Sequence, residues 1–172
     1  STEVESSGDG IPLIDEISQL PFVKNVALSR GYPTGLSFGT IFQQESSTEM
    51  QRVNLLICDT EAFEMWDFEI KEQFSDDLSH SFWISDNLYC LLGSREKAEE
   101  LMNKWNGGLN QAKVDHLGGV IGNVISENAI SGSIEKSNTA VFVMSEADMG
   151  IYNSDLLIET EGMERKEALS EI

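Results

Sequence analysis

The sequence predicts an α+β fold: a largely antiparallel sheet, or sheets, of about six or more strands with two or three helices. Three observations carry that expectation. Short apolar runs recur between turn-forming residues, as in QRVNLLIC at 51–58 and AVFVM at 140–144. One segment, 95–106, has clear helical periodicity, with Ala98, Leu101, Met102 and Trp105 at i, i+3, i+4 and i+7. Strand and helix signals do not alternate regularly, so a parallel α/β sheet is not indicated.

Taken in order, residues 1–10 are acidic and rich in Gly and Ser, and read as a disordered N-terminus. Residues 11–172 read as a single α+β domain without an internal repeat. Pro12 sits in the first turn of a short helix over 12–20, with Leu13, Ile14, Ile17 and Leu20 on one side. Residues 23–30 and 36–43 read as strands joined into a hairpin through Gly31-Tyr32-Pro33-Thr34-Gly35. A loop at 45–49 leads to the strand 51–58.

Residues 62–74 fit two periods. Phe63, Trp66, Ile70 and Phe74 make a helical face, while Trp66, Phe68 and Ile70 alternate with acidic residues as in a half-wet strand. The alternation favours a strand at 65–71. Residues 81–85 and 87–92 read as one bent strand, or a hairpin about Asp86-Asn87. Ser94 caps the helix 95–106 and Gly107-Gly108 ends it. A further helix is expected within 120–137, then strands at 140–144 and 156–160 and a short charged helix at 163–169.

The chain has 172 residues and 40% hydrophobic content, enough for a core without metal or disulfide staples. Cys58 and Cys90 lie in separate apolar runs; they could form one disulfide but read better as buried reduced thiols on strands. No stretch reaches the length of a membrane span, and the first residues lack a signal-peptide pattern. The expected location is therefore intracellular.

A net charge of −19 argues against nucleic-acid binding, because phosphates are repelled at long range. It suits electrostatic steering of a basic protein partner, and also simple solubility. Halophilic origin or mimicry of DNA are further sources of such acidity.

No constellation carries chemistry strongly. His80 lies in DDLSHSF beside Asp76, Asp77 and Ser79. Sequence adjacency does not make triad geometry, and a metal needs three or four convergent ligands. His116 in VDHLGG is equally solitary. The run LGGVIGNV, with Gly118, Gly119 and Gly122, lacks both GxGxxG spacing and a phosphate-binding lysine, and reads as a turn into a helix. Neither cysteine has a CxxC partner or a nearby base. The expectation is therefore no catalytic residue, no cofactor and no metal. The aromatic clusters Phe63, Trp66, Phe68 and Phe82, Trp83 are core candidates, some of which a partner-binding domain would expose.

Residues 66–168 resemble the proteasome assembly chaperone 4 family. The resemblance rests on KSNTAVFV (136–143), a connection of the family's length, and DLLIETEGMERKEA (155–168), with FEIKEQFSDDLSHSFWI (68–84) upstream. It rests on order and spacing, without a signature residue. Residues 1–58 have no counterpart in the family's shorter members, and the helix 95–106 stands where a shorter connection is expected.

The resemblance implies a non-enzymatic chaperone of 20S proteasome assembly. Such a protein forms a heterodimer with a chaperone 3-type partner and orders proteasome α subunits around subunit α5. It leaves as β subunits are incorporated, and works in the cytoplasm and nucleus without nucleic acid or membrane. No partner-contacting residue is transferred. The alternative is an acidic binding or inhibitor protein, viral or bacterial, unrelated to the proteasome.

Overall fold

The computed structural model describes residues 2–5, 10–33, 38–44, 47–108, 114–127, 134–149 and 155–161. Among them the chain runs β1 (Thr2–Glu5), α1 (Gly10–Ser18), β2 (Val23–Arg30), β3 (Phe38–Gln43), β4 (Met50–Cys58), α2 (Thr60–Trp66) and β5 (Ile70–Gln73). It continues through β6 (Ser81–Ser85), α3 (Asp86–Leu92), α4 (Arg95–Gly108), β7 (His116–Ile121), β8 (Val124–Glu127), β9 (Ile134–Val143), α5 (Glu146–Met149) and β10 (Asp155–Thr160). The fold class is α+β, as expected.

All ten strands join one mixed sheet in the order β1-β10-β2-β4-β9-β6-β7-β5, with β3 beside β4 and β8 beside β9. Only β4–β9 and β6–β7 pair in parallel. The long strands β4 and β9 form the spine. Val53 lies opposite Asn138 and Cys58 opposite Val143. At the end where they finish, β4 is flanked by β2 and β9 by β6; at the end where they start, by β3 and β8.

Alternation along these strands sends side chains to two cores. On one face Val53, Leu55, Ile57, Ala140 and Phe142 meet Ile14 and Ile17 of α1, Leu88 of α3, and Leu101, Met102 and Trp105 of α4. On the other, Leu56, Cys58, Val141 and Val143 meet Ala62 and Phe63 of α2. Phe82 stacks obliquely on Phe142 at 5.0 Å, and its neighbour Trp83 meets Phe63 at 5.0 Å on the opposite face. Each such fully buried side chain contributes about 1.5–3 kcal/mol.

Several expectations are corrected. Thr2–Glu5, expected to be disordered, pair with β10, Thr2 opposite Ile158. β2 and β3 do not form a hairpin: β3 pairs antiparallel with the first half of β4, while β2 takes only its last two residues. The segment 65–71 is not one strand: Met65 and Trp66 end α2, and only Ile70 and Lys71 are extended, at the start of β5. Asp59 caps α2 through a bond from the Ala62 N–H at 2.8 Å, and Asp67 ends it in the left-handed region at φ 49°, breaking the alternation of Trp66, Phe68 and Ile70.

Residues 87–92 are helical, with Gly93 closing α3 at φ 85° and Leu88 turned into the core. No helix occupies the described part of 120–137; β7, β8 and the start of β9 lie there. Residues 163–169 fall outside the described residues.

Candidate functional site

The two histidines lie at the end of the sheet where β4 and β9 finish. His80 sits in the turn before β6 at φ 58°, and its Nε2 meets Asp148 Oδ2 at 3.1 Å. Ser79 Oγ lies 3.1 Å from His80 Nδ1, and Ser145 Oγ donates to Asp148 Oδ2 at 2.9 Å. The structure thus brings Asp148 to His80, not Asp76 or Asp77. Asp77 Oδ1 accepts the Ser79 N–H at 3.0 Å, and Asp76 Oδ1 accepts from Gln73 at 3.5 Å.

Serine, imidazole and carboxylate form a chain of hydrogen bonds, but the ring nitrogens are used the opposite way round from a hydrolase triad. Both are occupied, so the ring joins the turn to α5 and presents no free nitrogen. Among the described residues no group of His, Cys, Asp and Glu could hold a metal ion.

His116 opens β7, with Nδ1 2.6 Å from Asp115 Oδ1 and Nε2 donating toward the Asp77 carbonyl at 2.8 Å. Burial pulls its pKa down, but Asp115 and that carbonyl outweigh it and hold the ring above its ordinary value. Together, His80 and His116 fasten the 75–80 turn to its neighbours. The glycines of LGGVIGNV serve packing. A Cβ on Gly118 would enter the Trp83 indole, and one on Gly119 would strike the Glu72 carbonyl. The run is strand β7, not a phosphate loop. Cys58 is buried and Cys90 exposed, both free.

Asp59 is the buried carboxylate of this end. Its Oδ2 accepts the Leu28 N–H at 2.9 Å, and its Oδ1 accepts from Ala62. Burial pushes its pKa to about 6 against those two donors, helped by the charges of Glu146 and Glu61. The position is capping geometry, which links β2, β4 and α2.

The opposite end of the sheet differs in character. There β3, β4, β9 and β8 run past α2. Ile41 and Met50 are 64% and 62% exposed, and Ile125 is 55% exposed. Ile41 lies directly across from Arg52, and Ile125 across from Lys136. Ile41, Met50 and Arg52 share one face, while Ile125 and Lys136 lie on the other. Gly39 leaves room for the Arg52 guanidinium, whose Nε would stand 3.2 Å from an added Cβ. At this end an exposed aliphatic thus stands beside a cation on each face of the sheet.

Of the aromatic clusters expected mostly in the core, Phe63, Phe82 and Trp83 are buried, and Trp66 and Phe68 pack partly buried against the same core. The exposed large side chains at this end are aliphatic. The period-two pattern of FGTIFQ, which puts Ile41 opposite Phe42, was the available signal.

No family model matches the chain, and no curated protein matches it. Among solved structures it is similar to the extracellular domain of the noncanonic ABC-type transporter YknZ from Gram-positive bacteria. The TM-score is 0.50 at 11% identity, covering 96% of this chain and 78% of that one. That likeness concerns the fold.

Proposed function

We propose that the chain is a non-enzymatic interaction domain in the extracytoplasmic part of an ABC-type transporter, docking a protein partner through the Ile41–Met50–Arg52 end of its sheet. One observation carries this reading: the fold is polarised. Thr2 pairs with Ile158, so β1 starts and β10 finishes together at one extremity. The exposed aliphatics lie at the other, about 35 Å away by strand rise and register. Such a layout lets a domain held at one extremity present the other to a partner. The likeness to a transporter's extracellular domain supports it, although fold alone does not determine function. No helix among the described residues is long and apolar enough to cross a membrane.

A second reading stays open on a specific observation. Of the segments resembling the proteasome assembly chaperone 4 family, 136–143 falls on β9, 155–160 on β10 and 68–84 on β5 and β6, while 162–168 lie outside the described residues. The free, exposed Cys90 suits the reducing cytoplasm that a chaperone would share with proteasome α subunits and a chaperone 3-type partner.

One experiment separates the two. In cells producing the native protein, protease added outside the cytoplasmic membrane should degrade the domain, and affinity purification should recover an ATP-binding-cassette subunit. Protection from protease, with recovery of proteasome α subunits, would overturn the transporter reading in favour of the chaperone. Recovery of a nucleic-acid enzyme would overturn both in favour of an acidic inhibitor.

A further inference from the structure

A cleft of about 300 Å³ opens between the end of β3, the end of α3 and one face of α4. Its floor is apolar. Leu101 is 5% exposed, and the half-buried Phe42 and Leu92 pack onto the same core. Its lip is cationic. Lys97, Leu101 and Lys104 stand at i, i+4 and i+7, so both lysines flank the leucine on one helix face. Glu100 shares the lip and lies 3.6 Å from Lys97, an exposed pair worth little. No ion-pair partner of Lys104 lies among the described residues.

We infer that this cleft binds a single-chain anionic amphiphile, an aliphatic carboxylate whose tail enters over Leu101 and whose head meets Lys104. Charge complementarity selects that occupant. In a chain of net charge −19, two lysines bordering an apolar floor give an anion a local refuge. The acidic remainder of the surface is screened beyond roughly 8 Å at physiological salt. Phe42 is the one aromatic residue among those lining the cleft, so a flexible tail fits better than a stacked ring. Snorkelling lets Lys104 cover the tail while its ammonium stays wet.

The inference does not rest on the proposed function. The cleft opens on the face of the sheet that carries α3 and α4. Ile41, Met50 and Arg52 share the other face, with Gln43 at the rim paired to Met50. The test is titration of the protein with decanoate below its micellar concentration, followed by calorimetry and amide chemical shifts. Saturable binding is expected, with shifts centred on 97–104 and 91–92. Decyltrimethylammonium, with the same tail and opposite charge, should bind more weakly.

Lys104→Glu should weaken decanoate about five-fold, roughly 1 kcal/mol. Lys24→Glu, a charge reversal of the same size on β2 at the far extremity of the sheet, should leave it unchanged. Absence of saturable binding would overturn the inference. So would equal affinity for the cationic amphiphile, or equal losses in the two variants. Co-flotation with phosphatidylglycerol vesicles by a protein that ignores decanoate would overturn it too, pointing to a bilayer surface instead.

Discussion

Asp59 and Leu28 exchange two hydrogen bonds: the Leu28 N–H donates to Asp59 Oδ2 at 2.9 Å, and the Asp59 N–H donates to the Leu28 carbonyl at 3.0 Å. One residue thereby continues the β2–β4 pairing past the last ladder position and starts α2. The cost is a carboxylate that is 5% exposed in a low-dielectric corner.

That cost makes stability depend on pH in a defined direction. The folded pKa, about 6, stands above the unfolded value near 3.9. The folded state therefore binds the proton more readily, and unfolding stability from this group falls as pH rises through that window. Below about pH 4 the contribution is fully present; above pH 6 it is gone. Over the whole range it amounts to about 3 kcal/mol, from two pKa units at 1.36 kcal/mol each. Urea unfolding of the wild type and Asp59→Asn at pH 7 and pH 4.5 should show the wild type gaining on the variant at the lower pH. A constant difference would mean that Asp59 titrates normally.

Gly118 and Trp83 define a second dependence. The strand β7 passes so close to the indole that any β-carbon must displace it. Trp83 is itself 1% exposed and donates through Nε1 to Ser81 Oγ at 2.8 Å, so it cannot swing aside without breaking that bond. Gly118→Ala should destabilise by about 1–3 kcal/mol, the usual range for overpacking. Indole fluorescence should change as well. A variant within 0.5 kcal/mol of wild type, with unchanged emission, would show that the contact is looser than described.

These two sites also explain what the sequence made legible. Strands β2, β4, β6 and β10 and the helices α1 and α4 follow from local sequence, because short apolar runs between turn residues mark strands buried on both faces and the helices repeat at 3.6. Helix α2 escaped because its cap, Asp59, was spent on long-range bonds to Leu28 as well as on Ala62. Its aromatic residues then continue into Phe68 beyond a left-handed Asp67. Helix α3 escaped because seven residues are too few to show a period. β7 was hidden by its glycines, which packing against Trp83 requires. The exposure of Ile41, Met50 and Ile125 was the least legible feature, since residue type alone marks all three as core.

The cysteines give a direct check on the sheet. Cys58 is buried between β2 and β9, and burial, with the adjacent Asp59 charge, pushes its thiol well above the ordinary range. Cys90 lies exposed on α3. Since the thiolate is the reacting form, maleimide at pH 7 should add once to the native protein, at Cys90, and twice after urea unfolding. Two rapid adducts on the folded protein would place Cys58 outside the core.

The same strand offers the sharpest test of the two ends of the sheet. Met50 opens β4 with 62% exposure, while Leu55, five residues on, has 4%. Burial differs while local conformation does not. Ile41→Ser with Met50→Ser should change unfolding stability by no more than about 1 kcal/mol, the span of strand propensity. Leu55→Ser should cost more than about 3 kcal/mol, combining a cavity with a buried hydroxyl. Binding at this end follows the opposite order: the double variant should lose the partner recovered with the wild type, at unchanged melting temperature. Loss of stability in the double variant would mean that Ile41 and Met50 belong to the core. Full stability with full partner recovery would mean that the docking face lies elsewhere on the sheet.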